Sequence, residues 1–135
     1  MKKYIFVVSL LCLLAACTGK RQGEAAVEIA ALPAVEDVVM YQVNPRVFAP
    51  EKSFKAVERR LDSIQALGIN VVWFMPINEV GQEKSVNSPY CVKDYKGVNP
   101  EFGTLDEFKA LVATCHQKGM NVIIDWVANH TSWDN

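Results

Sequence analysis

Asn121-Val122-Ile123-Ile124-Asp125-Trp126-Val127-Ala128-Asn129-His130 is the stretch from which the rest of the chain can be read. Its first four residues make an apolar run of strand length, and the polar residues begin where such a run gives way to a loop. A strand without polar alternation is what a parallel sheet covered on both faces requires. A carboxylate at the strand tip, followed by an amide and an imidazole, adds nothing to packing and suits binding or chemistry. By the period-two rule Asp125 shares a strand face with Ile123 and Val127. In a closed barrel that face points inward, which would set the carboxylate near the top of the lumen.

Upstream, the same alternation of apolar runs and stop signals recurs. Val38 to Val43 predicts a strand, ended by Asn44-Pro45 because proline cannot donate to a sheet ladder. Ser53 predicts a helix N-cap, with Phe54, Val57, Leu61 and Ile64 on one face and Gly68 as the stop. Ile69 to Met75 predicts a second buried strand, closed by Pro76. Thr104-Leu105-Asp106-Glu107 reads as a capping box, opening a helix with Leu105, Phe108, Leu111, Val112 and Cys115 on one face, and Gly119 ends it. The order is β-α-β-α-β, and right-handed crossovers make the strands parallel neighbours. That order fits a closed barrel and an open sheet alike. The connection from Pro76 to Gly103 is 28 residues long, whereas strand-to-helix loops usually have about 2 to 6. Barrel enzymes build active sites from long loops at the C-terminal ends of strands.

Three blocks of sequence then carry a resemblance. The pattern Asp125-x-Val127-x-Asn129-His130 resembles the first signature region of the α-amylase family, the family 13 glycoside hydrolases. Tyr90-Cys91-Val92-Lys93-Asp94-Tyr95, leading to Phe102-Gly103-Thr104 and the capped helix, resembles the stretch before that family's second helix. Tyr41-Gln42 and Arg46 to Phe48 look like its opening strand and exit loop. The resemblance implies an α/β fold, the N-terminal three strands and two helices of a (β/α)8 TIM barrel, incomplete in this chain. It implies a glycosidase acting on α-glucans (starch or maltooligosaccharides) with retention, through a carboxylate nucleophile and an acid/base held about 5 Å apart.

Residue by residue, the resemblance makes Asp125 a support of the active site and not the nucleophile. Tyr90 would lie against the sugar ring beside the cleavage point, an aromatic face being suited to the C–H side of a pyranose. His130 would hydrogen-bond a substrate hydroxyl. Asn129 would be a calcium ligand through its side-chain oxygen, a hard donor. Asp94 has two readings, binding a sugar hydroxyl or fixing its own loop by accepting backbone N–H groups. Tyr95, Trp73 and Phe74 are assigned to packing. Trp126, where the motif often has a smaller aliphatic, would face the outer helices. In the family the nucleophile, the acid/base and a third aspartate follow later strands, so no catalytic residue is assigned here. The expectation is that this stretch by itself folds poorly and is inactive. The alternative is a non-catalytic glucan-binding or interaction protein on the same barrel, and a plainer one is a small open α/β domain.

At the other end Lys2 and Lys3 precede an apolar stretch from Tyr4 to Ala16, and Leu14-Ala15-Ala16-Cys17 follows a bacterial lipobox. The stretch is shorter than the about 20 residues a membrane span needs, so it reads as a cleaved signal peptide. Cys17 is the expected lipidation site. The chain then divides into a lipoprotein signal peptide (1–16), a tether (17–36) and the barrel portion (37–135). This implies a bacterial cell-envelope protein, held to a membrane by acyl chains on the periplasmic or cell-surface face. The net charge is −1 with no basic cluster, which excludes nucleic acid as a partner. Cys12 leaves with the signal. Cys91 and Cys115 permit one disulfide, though Cys115 on an apolar helix face is better suited to packing.

Overall fold

The computed structural model describes residues 31–135. The expected signal peptide and Cys17 lie outside them. Among the described residues no helix is long and apolar enough to cross a membrane.

The strands β1 (Met40–Val43), β2 (Val71–Phe74) and β5 (Asn121–Ile124) form one parallel sheet in the order β1-β2-β5. Its register sets Gln42 beside Trp73 and Trp73 beside Ile123. Between β1 and β2 lie three short helices, α1 (Pro45–Phe48), α2 (Ser53–Glu58) and α3 (Leu61–Gln65). Between β2 and β5 come two short strands, β3 (Glu79–Val80) and β4 (Val92–Asp94), and the long helix α4 (Leu105–Gln117).

One sheet face carries Val43, Val72 and Phe74, all fully buried against Phe54, Val57, Leu61, Phe108 and Leu111 of the helices. Phe54 and Phe108 pack with tilted rings, centroids 5.0 Å apart, and Phe108 meets Phe74 edge to face at 5.5 Å. The opposite face leaves Met40 and Ile123 half exposed. The helix face expected to bury Leu105 does not: Phe108, Leu111 and Cys115 are buried, whereas Leu105 sits in the first turn and is exposed.

Two local expectations are corrected. Ser53 is not an N-cap: that position belongs to Lys52, held in the left-handed region at φ 50°, and no side chain caps the helix there. The Ser53 hydroxyl is instead buried and donates to the Pro45 carbonyl at 2.6 Å. The predicted single helix also breaks into α2 and α3 at Arg59-Arg60, because the Arg60 N–H turns to the Val57 carbonyl. Pro45 opens the unforeseen helix α1, with Asn44 capping through its side chain, since proline's missing N–H costs nothing at a first helical position. The capping box at Thr104 is present with both reciprocal bonds, and Gly68 and Gly119 end their helices at positive φ.

Candidate active site

The long loop is not irregular throughout. β3 and β4 pair antiparallel inside it, so Tyr90 to Tyr95 stand on a small ribbon. Arg46, just after β1, donates to the Asn87 carbonyl at 2.7 Å and so pins the tip of this loop to the exit of β1. The segment after β5 lies across the ribbon. The Ser132 N–H and the Thr131 hydroxyl both donate to the Val92 carbonyl, and the Gln82 N–H donates to Asp134 at 3.0 Å. Gly81 makes this approach feasible, because a Cβ there would lie 2.3 Å from Asp134 Oδ1 and from Ser132 Cβ. Lys84 Nζ caps the Trp133 ring at 3.9 Å. Loops after three strands are thereby joined above the C-terminal edge of the sheet.

Asp125 is the meeting point. Its own N–H donates to the Phe74 carbonyl, extending the ladder by one residue past β5. The Trp73 indole N–H donates to Oδ1 at 2.6 Å, and the Tyr90 hydroxyl donates to Oδ2 at 3.0 Å. Both carboxylate oxygens are therefore engaged, one from the sheet and one from the long loop. Partial burial, then the hydrogen bond to Asp125, holds the Tyr90 phenol above its ordinary range.

The other predicted residues fall into two groups. Asp94 Oδ1 accepts the Lys96 N–H at 2.8 Å, the Asx-turn geometry of a loop-fixing aspartate, and Gly97 lies against its Oδ2. His130 and Asn129 are exposed on the loop after β5, with Asn129 Nδ2 3.2 Å from His130 Nδ1. That loop is held by Tyr95, whose hydroxyl lies 2.7 Å from the Val127 carbonyl and 2.8 Å from the His130 carbonyl. Tyr95, Trp126 and the run Val127 to Thr131 line an open pocket of about 450 Å³.

For calcium, Asn129 offers one side-chain oxygen where the ion takes about 6 to 8. Among the described residues no three His, Cys, Asp or Glu side chains cluster as a metal site. These residues do not form such a site by themselves. Cys91 and Cys115 are both free, Cys115 buried in the core and Cys91 partly buried.

Trp73 and Tyr95, assigned to packing from sequence, are corrected: each spends its polar hydrogen on the site, whereas Phe74 does pack, fully buried. The signal for Trp73 lies in the register. It sits beside Ile123, two residues before Asp125 and on the same face, and that pairing is not visible until the strands are aligned.

Residues 51–135 match the family described as the alpha amylase catalytic domain, and the chain belongs to that family. It is 39% identical over 98 residues to the human amino acid transporter heavy chain SLC3A1, covering 69% of this chain and 14% of that protein. It is 33% identical over 102 residues to an alpha-glucosidase of Apis mellifera, covering 72% of this chain and 18% of the relative. Among solved structures it is similar to an alpha-amylase from Lactobacillus plantarum, with TM-score 0.67 and 42% identity over 73% of this chain and 24% of that one. It also resembles the maltogenic alpha-amylase AmyB of Thermotoga neapolitana, with TM-score 0.71 and 34% identity over 75% and 25% of the two chains. The chain thus spans about a seventh to a quarter of the proteins it matches. The described strands and helices form part of an α-amylase-type barrel.

Proposed function

We propose that this chain is the opening part of a glycoside hydrolase acting on α-glucans, starch or maltooligosaccharides, with retention of configuration. One observation carries the proposal: Tyr90 and Asp125, which lie on separate elements, are hydrogen-bonded to each other at the C-terminal edge of a parallel sheet. The bond fixes the Tyr90 ring at the strand tip, where its face can receive the apolar side of a pyranose. His130 presents its imidazole beside the Asn129 amide. When that amide donates to Nδ1, Nε2 carries the proton and can donate to a sugar hydroxyl. Asp94 Oδ2 is the oxygen left for a second hydroxyl. The nucleophile and acid/base are supplied from outside these three strands, so the stretch 37–135 expressed alone is inactive and poorly folded. Asn129 contributes one ligand to a calcium site completed in the same way, and Cys17 is acylated, tethering the protein to a bacterial envelope membrane.

A second reading has its own support, since one relative is named as an amino acid transporter heavy chain and not as a hydrolase. On that reading the chain serves glucan binding or protein interaction without turnover.

The test is release of reducing sugar from maltooligosaccharides by the whole protein, with the anomer followed by NMR. Turnover giving the α-anomer first, and its loss in Tyr90→Ala, is the expected result. Glucan binding without turnover would favour the second reading. Neither glucan binding nor turnover would overturn the hydrolase reading and the glucan-binding form of the second, leaving protein interaction.

A further inference from the structure

We propose that Trp73 is a positioning residue of this site: its indole N–H holds Asp125, and Asp125 so held keeps Tyr90 in place. The inference rests on the reading of Tyr90 and Asp125 as parts of a sugar site. Indole can only donate and an ionised carboxylate can only accept, so the 2.6 Å contact between Trp73 Nε1 and Asp125 Oδ1 has one polarity. It is also charge-assisted, the stronger kind of hydrogen bond.

Its origin is the sheet. Trp73 lies in register with Ile123, and the Asp125 N–H is bonded to the Phe74 carbonyl, so the backbones of both partners are fixed relative to each other. The one freedom left to Asp125 is rotation of its side chain. The indole removes it by occupying Oδ1, and Oδ2 is then aimed at the Tyr90 hydroxyl 3.0 Å away. Tyr90 itself sits in a turn where Cys91 N–H bonds Ser88 and its own N–H reaches the Ser88 hydroxyl. None of these bonds within the turn reaches the sheet, whereas the Asp125 bond does. A rigid strand is thus linked to an aromatic ring on a long loop through two hydrogen bonds in series.

The test has two arms on the whole protein. In the first, the indole N–H groups are followed by NMR. Trp126 and Trp133 are 78% and 72% exposed, so their N–H groups exchange quickly with water, whereas that of Trp73 exchanges slowly and shifts in Asp125→Asn. Exchange of the Trp73 N–H as fast as the other two would overturn the proposal. In the second arm, Trp73→Phe keeps most of the ring and removes the donor. It lowers kcat and kcat/KM together by roughly ten- to a hundredfold, the scale of misplacing a site group. In an Asp125→Ala or a Tyr90→Phe background the same change costs much less, because the linkage it supports is already broken. Equal losses in all backgrounds would mean plain packing and would overturn the proposal. Should the parent protein show no turnover, the hydrolase reading fails while the indole exchange still decides the role of Trp73.

Discussion

Cys115 gives the sharpest test of whether the helix-side core is closed. It is fully buried on α4, and burial first, with the Glu58 carboxylate second, pushes its thiol from an ordinary 9.0 up to about 12, against a smaller opposing pull from Lys118. At pH 8 that displacement lowers the reactive thiolate population about a thousandfold. The greater nucleophilicity of a high-pKa thiolate returns roughly twentyfold, leaving about fiftyfold from ionisation alone. Closure of the core adds to this, since iodoacetamide reaches the sulfur only when the core opens. Cys91, only partly buried in the long loop, is the internal control. Peptide mass spectrometry after timed iodoacetamide pulses at pH 8 is expected to show Cys91 labelled first and Cys115 at least about fiftyfold later. The pH dependence has a definite sign. The folded thiol holds its proton longer than the unfolded one, so its contribution to stability is complete below about 9 and is lost as pH rises through about 12. Labelling of Cys115 as fast as Cys91, in protein whose near-ultraviolet circular dichroism shows fixed aromatic side chains, would refute the packing of α4 against the sheet.

Three other changes read different parts of the molecule. Phe54→Ala removes a buried ring packed against Phe108 and Phe102 and is expected to cost about 3 to 5 kcal/mol in urea unfolding of the whole protein, and a loss below about 1 would contradict that packing. Thr104→Ala deletes the hydroxyl that caps Glu107 N–H and should cost about 1 kcal/mol, with Thr104→Ser retaining most of it. Asp134 is held below its ordinary 3.8 chiefly by the Gln82 N–H, so its hold on the ribbon is complete above about pH 4 and is lost as pH falls through its lower folded value. An acid-side shift of the Gln82 amide in NMR titration that is absent in Asp134→Asn is the expected sign, and an unchanged shift in the variant would count against the contact.

What the sequence discloses and what it hides divide along a physical line. The strand order, the parallel pairing, the buried faces of α2 to α4 apart from Leu105, and the Thr104 capping box follow from apolar period, proline stops, cap spacing and the handedness of crossovers. The pairing of Tyr90 with Asp125 is legible in the sequence only as two members of one family pattern, because 34 residues separate them and the β3–β4 ribbon that aims Tyr90 has no strong pattern of its own. Trp73 and Tyr95 were hidden for another reason. An aromatic residue beside apolar neighbours reads as core, and its polar atom is informative only once a partner is located. Ser53 misled in the same manner, since a serine before an apolar helical face has the composition of a cap while its hydroxyl has a nearer acceptor at Pro45.

The two halves of the structure are held by different forces, and this determines how each should fail. The helix-side core rests on fully buried Val43, Phe54, Val72, Phe74 and Leu111, whose loss is felt by the whole fold. The site rests on hydrogen bonds that tie the loops to one another and to the sheet: Arg46 to Asn87, Trp73 and Tyr90 to Asp125, Tyr95 to the Val127 and His130 carbonyls, and Ser132 to Val92. Several of them are open to water, and each contributes on the order of 1 kcal/mol net. Segments held in this way open locally at free energies well below that of global unfolding. Mild denaturant should therefore detach the long loop and the His130 segment while Cys115 stays protected, so that any sugar binding is lost ahead of the fold. Simultaneous loss of both would show that the loops are part of the cooperative core, and the division drawn from burial would be wrong.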